Sequence, residues 1–139
     1  MADLFVADTN LYVGAANDPE FRRRFEAFIE HHGPVVVSAI VVAEVLIGIP
    51  DVTRHSAAAA ALTAGMTALA PTSEDWRGAA GAVARLGAEA TTKTRSFWND
   101  ALLAAQCSRL GATLVTHNLA DFRRLARHLP LRIAAPFPS

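Results

Sequence analysis

Short apolar runs, several of them rich in β-branched residues, alternate along this chain with segments of helical spacing, and that alternation constrains the fold more than any other feature. Leu4 to Ala7, Val35-Val36-Val37, Met66 to Leu69, Ala112 to Thr116 and Leu131 to Ala134 read as strands. Pro19 opens a helix whose Phe21, Phe25, Phe28 and Ile29 recur at spacings of three and four, and Gly33-Pro34 ends it. Ser38 is placed to cap a helix from Ala39 to Ile47, which Gly48 and Pro50 stop. An alanine-rich helix follows from about Val52 to Gly65. Pro71-Thr72-Ser73 starts another, with Glu74 and Asp75 in its first turn, running to about Ala88. Ala90 to Arg95 reads as a loop. Ser96 is expected to cap a helix ending at Leu110 before Gly111, and His117 to Phe122 as a loop entering a short helix. Strands alternating with helices make an α/β fold, with a mostly parallel central sheet of about five strands flanked by helices on both faces. At 139 residues the chain makes one domain, spanning 1–139, and 52% apolar composition excludes disorder.

Ligands of such sheets bind beyond the carboxyl ends of the strands. Three lone carboxylates stand out there. Asp8 follows Leu4-Phe5-Val6-Ala7, Glu44 interrupts Ala39-Ile40-Val41-Val42-Ala43, and Asp100 precedes Ala101-Leu102-Leu103-Ala104-Ala105. Burying an ionised carboxylate is costly unless something pairs with it. The chain has one lysine, and no arginine adjoins these segments. A hard divalent cation such as Mg²⁺ or Mn²⁺, bound through oxygen, would relieve the repulsion among acids gathered in one pocket. Taken singly, Asp8 also reads as an N-cap and Asp100 as a first-turn acid favoured by the helix dipole. Glu44 shares a helix face with Ile40, Val41 and Ile47 that must pack on the sheet, so it is expected to point inward. Asp121 reads two ways, as a further metal or water ligand or as the N-cap of a helix beginning at Phe122. His117, in a polar loop, reads as solvent-facing.

Net charge is zero, but twelve of the thirteen basic residues are arginine, whose planar fork suits phosphate. Arg22-Arg23-Arg24 reads as the solvated face of a helix. Lys93 and Arg95, just before Asp100, are the better candidates for phosphate contact. The pattern permits a nucleic-acid substrate without demanding one. Cys107 cannot form an intrachain disulfide and reads as a small buried hydrophobe. No apolar run approaches the roughly 18 residues that cross a bilayer, and no basic stretch precedes the first apolar run, so a cytoplasmic location is expected. Trp76 and Phe97 read equally as a partner surface or as core.

Four ordered segments carry a resemblance. Asp8-Thr9-Asn10 after a strand, Ser38 through Glu44, Asn99 through Ala105, and Thr116-His117-Asn118-Leu119-Ala120-Asp121-Phe122 are similar to the PIN domain, and to the VapC toxins of bacterial type II toxin–antitoxin pairs in particular. The resemblance covers essentially the whole chain. It implies a Mg²⁺- or Mn²⁺-dependent endoribonuclease, usually a homodimer, held inactive by a small VapB-like antitoxin. It implies that Asp8, Glu44 and Asp100 form the acidic ligand set, with Asp8 and Asp100 on the principal ion. The family's fourth acid stands in some members where this chain has Asn118 and in others where it has Asp121; Asp121 is favoured, and Asn118 retains the capacity to orient a water. Thr9, Asn10 and Thr116 are then candidates to fix the carboxylates by hydrogen bonds.

Rival classes fare worse. A haloacid-dehalogenase-type phosphatase needs a second aspartate two residues after the first, where this chain has Asn10. A receiver domain needs a lysine after a late strand, whereas Lys93 precedes a helix. A catalytically silent PIN-like binding domain has no need to keep three repelling acids. An RNA-processing PIN nuclease would share the chemistry and lack the co-encoded inhibitor.

Overall fold

The structure, a computed structural model, describes residues 4–32, 35–64, 66–87 and 94–137. Within them the order is β1 (Phe5–Ala7), α1 (Thr9–Asn17), α2 (Pro19–His32), β2 (Val35–Val36), α3 (Ala39–Ile47), a 3₁₀ turn (Val52–Arg54), α4 (His55–Thr63), α5 (Ser73–Leu86), α6 (Arg95–Leu110), β3 (Thr113–Val115), α7 (Leu119–Leu125) and β4 (Arg132–Ala134). The four strands form one sheet in the order β2-β1-β3-β4, with every pairing parallel. The fifth expected strand, Met66 to Leu69, contributes a single parallel bridge between Leu69 and Ser38. Gln106 fastens that bridge from below. Its side-chain Nε2 donates to the Leu69 carbonyl at 2.8 Å, and its Oε1 accepts from the Ser38 hydroxyl at 2.6 Å.

Alternation along the strands divides the core into two layers. Val6 and Leu114 face a cluster built with Val41, Ala101, Leu103 and Phe122. Ala7 and Val115 face the opposite side, with Leu11 and Phe25 from α1 and α2. Helices therefore cover both faces, as the all-parallel pairing requires. Gly14 lets α1 and α2 close on each other: a Cβ there would meet the Phe21 ring at 3.0 Å. Gly111 ends α6 in the left-handed conformation at φ 66°.

Several expectations shift at element ends. The alanine-rich segment begins as the 3₁₀ turn and is α-helical only over His55–Thr63. Thr94, not Ser96, caps α6: its backbone is extended and its hydroxyl accepts from the Phe97 amide at 3.1 Å. The helix therefore starts at Arg95, and Asp100 lies in its second turn rather than its first. Phe97 is core, 2% exposed, whereas Trp76 is 49% exposed and packs its ring on Trp98. Arg22, Arg23 and Arg24 are exposed, as is His117, and Cys107 is buried. Lys93 lies outside the described residues. Among those residues no helix is long and apolar enough to cross a membrane.

Candidate active site

Asp8 occupies the junction where β1 ends and α1 begins, and it is 5% exposed. Both readings of it hold together, because the same carboxylate that caps the helix also faces the site. Oδ1 accepts from the Thr9 amide at 2.8 Å; Oδ2 accepts from the Thr116 hydroxyl at 2.7 Å and the Asn10 side-chain amide at 3.3 Å. Thr116 sits at the end of β3, the strand paired with β1, and its hydroxyl also accepts from the Asn118 backbone amide at 2.9 Å. The Asn10 carbonyl oxygen accepts from the His117 amide at 3.5 Å. Parallel register thus places both strand ends at one edge and ties them together through Asp8.

Glu44 reaches the same place from α3. Thr9 donates its hydroxyl to Glu44 Oε1 at 2.8 Å, and the Asn99 side chain also hydrogen-bonds the carboxylate. The face argument for Glu44 holds only in part. Ile40 and Val41 are buried, but Ile47 is 70% exposed and Glu44 is half-buried. The side chain therefore stands at the rim of the core, facing the acids rather than the sheet interior.

Asp100 projects from α6 and Asp121 from the first turn of α7, and the Asn118 side-chain amide lies between them. It donates to Asp100 Oδ2 at 3.3 Å and to Asp121 Oδ2 at 3.1 Å. Asn118 itself, not Asp121, stands at the N-cap of α7, which begins at Leu119. Arg124, one turn on, donates to Asp121 Oδ1 at 3.2 Å and lies 5.2 Å over the Phe97 ring. Arg124 and Asn99 were not anticipated as site residues. A signal existed for each: Arg124 is three residues from Asp121 on one helix, and Asn99 adjoins Asp100.

The electrostatics mark these acids as one group. Burial, and then the charges of Asp8, Glu44 and Asp121, push the Asp100 carboxyl up to about 8, against the opposing hydrogen bond from Asn118. Burial raises Glu44, opposed by the Thr9 hydrogen bond, and the charge of Asp8 raises it further. Burial also raises Asp8, more than the hydrogen bonds from Thr116 and Thr9 and the charge of His117 lower it. Among the described residues no lysine or arginine stands within ion-pair distance of Asp8, Glu44 or Asp100. Nor, among the described residues, do three His, Cys, Asp or Glu side chains sit close enough together to hold a metal ion as they stand. Asp8, Glu44 and Asp100 repel one another and are held by neutral donors, while Arg124 pairs with Asp121. An oxygen-only trio with excess negative charge and no cation of its own fits a hard divalent ion.

Comparison with known proteins agrees with this architecture. The PIN domain family matches residues 5–128, and the chain belongs to it. Among solved structures, VapBC from Salmonella typhimurium bound to DNA aligns with a TM-score of 0.72 at 22% identity, covering 99% of this chain and 100% of that one. VapBC2 from Rickettsia felis, bound to a DNA fragment from its promoter, aligns at 0.71 and 20% identity over 95% and 98%. FitAB bound to a DNA fragment aligns at 0.68 and 19% identity over 97% and 96%. At these identities the likeness establishes the shared fold. No curated protein sequence matches the chain.

Proposed function

We propose that this chain is a metal-dependent endoribonuclease, the VapC-like toxin of a type II toxin–antitoxin pair, acting in the cytoplasm as a homodimer and restrained by a VapB-like antitoxin. The observation that carries the enzymatic part is the gathering of Asp8, Glu44, Asp100 and Asp121, tied through Thr9, Thr116 and Asn118; burial, and then the charges of the other three acids, push the Asp100 carboxyl up to about 8. Structural members alone would not gather acids this way, since each raises the cost of ionising the next. The toxin part rests on the structural neighbours: VapBC and FitAB chains share this fold along nearly their whole length.

In this reading Asp8 and Asp100 hold Mg²⁺ or Mn²⁺, and Glu44 positions the attacking water. A divalent ion held by these carboxylates would supply Lewis acidity for the phosphodiester and for the attacking water. The chain's own groups do the rest. Thr116, the Thr9 amide and Asn10 fix the Asp8 carboxylate by hydrogen bonds. Thr9 and Asn99 hold Glu44, whose raised pKa suits it to accept a proton from water at neutral pH. Asn118 spaces Asp100 from Asp121 and provides the amide that orients a water, with Arg124 steadying Asp121. Arg95, exposed at the first turn of α6, contacts the RNA backbone or base beside the scissile bond.

Purified protein incubated with RNA tests this directly. Cleavage with Mg²⁺ or Mn²⁺ that EDTA abolishes is the expected result. Release of phosphate from small esters, with RNA left intact, would point to a phosphatase instead. RNA cleavage without any co-encoded inhibitor to suppress it would leave an RNA-processing nuclease.

A further inference from the structure

Beside the acids lies a cleft of about 280 Å³ lined by Glu44, Ile47, Arg95, Ser96 and Asn99. Its size sits at the lower end of small-ligand sites, roughly 300–1,000 Å³. Glu44 belongs both to the acidic group and to this lining, so whatever fills the cleft adjoins the reaction centre. The walls are chemically unlike. Ile47, on α3 one turn beyond Glu44, offers an apolar side chain that is 70% exposed. Arg95 and Asn99 lie four residues apart on α6 and so share one face of that helix. Among the described residues Arg95 pairs with no carboxylate, although it lines the same cleft as Glu44. Asn99 gives one side-chain N–H to Glu44; because a carboxylate only accepts, that bond does not engage the Asn99 carbonyl oxygen.

An apolar platform, a forked double donor and a free acceptor converge on a flat heterocycle with paired acceptors on one edge. We infer that this cleft is a base-recognition subsite that takes an unstacked guanine next to the scissile phosphate of a single-stranded RNA. Arg95 donates to O6 and N7, the pairing its fork geometry fits best. Ile47 supports the ring face, and the Asn99 carbonyl with the Ser96 hydroxyl accepts from the base's N–H groups. Splayed single-stranded bases are the usual targets of sequence-specific RNA recognition. This assignment rests on the ribonuclease reading for its biological meaning but not for the binding itself, and the two are tested apart.

The first arm maps cut ends in a short single-stranded RNA pool randomised around its centre, using the parent chain and Arg95→Gln, a substitution at an exposed helix start. The parent should favour guanine at one position flanking the cut by about 5- to 150-fold, the range of one good bidentate base contact. Arg95→Gln should flatten that position alone. A uniform loss across all sequences would make Arg95 a phosphate contact and overturn the subsite. The second arm titrates guanosine 5′-monophosphate and adenosine 5′-monophosphate into isotopically labelled protein without metal. The guanine nucleotide should shift the amides of Ile47, Ser96 and Asn99, and Arg95→Gln should abolish the shift. RNA cleavage with no flanking preference and no nucleotide-induced shift would refute the subsite while sparing the nuclease. Shifts at those amides with no cleavage of any RNA would do the reverse.

Discussion

A buried acid, Asp75, and a half-buried one, Asp100, have opposite fates in this molecule. Asp75, at the third position of α5, is 1% exposed, and Arg109 grips it with two donors, Nε to Oδ1 at 2.7 Å and Nη2 to Oδ2 at 3.0 Å. It also completes a capping box, accepting from the Thr72 amide at 2.9 Å while its own amide donates to the Thr72 hydroxyl. Burial opposes ionisation at Asp75, but the guanidinium and the Thr72 bonds outweigh it, and the carboxyl lies below its ordinary value. Asp100 receives one long amide bond and three negative neighbours, and its carboxyl lies far above that value. One acid is held by a cation the chain supplies. The other is arranged so that a cation from outside must supply the charge.

That contrast breaks most sharply on activity. Asp100→Asn or Asp8→Asn should cut metal-dependent RNA cleavage by about 10³-fold or more, the several kcal/mol that such an ion contributes. Circular dichroism should match the parent; undiminished cleavage by well-folded variants would remove both residues from the site. At the structural acid the effect should fall on stability instead. Arg109→Ala leaves Asp75 buried and unpaired, and should lower unfolding free energy in urea by about 2–4 kcal/mol, with the residual folded protein still cleaving RNA. A change under about 0.5 kcal/mol would contradict the pairing argument.

The pH dependence should separate the two acids further. Asp100 is protonated more readily folded than unfolded, so its contribution is present below about 4 and is lost as pH rises through about 8. Metal-free parent protein should therefore lose about 1–2 kcal/mol more than Asp100→Asn between pH 6 and 8. Mg²⁺ should abolish the difference. Asp75 runs the other way, stabilising above its unfolded value and losing that stabilisation as pH falls through its lowered folded one. The smallest effect belongs to Thr9→Val, which deletes one hydrogen bond to Glu44. It should slow cleavage about fivefold, the roughly 1 kcal/mol of a single bond, while leaving the thermal midpoint within a few degrees.

Much of this was legible in the chain because the signals were local. Leu4 to Ala7 followed by Asp8, Ser38 before an apolar helix, and Gly111 before β3 each specify a strand end or a cap within a few residues. Asp8, Glu44 and Asp100 stood out because each is an acid where burial is costly. Pairings across the chain left no such mark. Asp75 read as a first-turn acid, and nothing near it announced Arg109, 34 residues away. The Thr116 bond to Asp8 spans 108 residues and becomes visible only once parallel pairing aligns the two strand ends. Ser96 is the expected cap of α6, but Thr94 has the extended backbone and takes the cap. Among the described residues the fifth strand is reduced to one parallel bridge, Leu69 with Ser38.

The most direct measurement is a carbon-13 titration of the aspartate side chains, with Asp100 assigned by its loss in Asp100→Asn. Without metal the Asp100 carboxyl should titrate near 8, and saturating Mg²⁺ should drive it below its ordinary value of 3.8. A carboxyl that titrates near 3.8 with and without Mg²⁺ would show that these acids neither crowd one another nor share an ion.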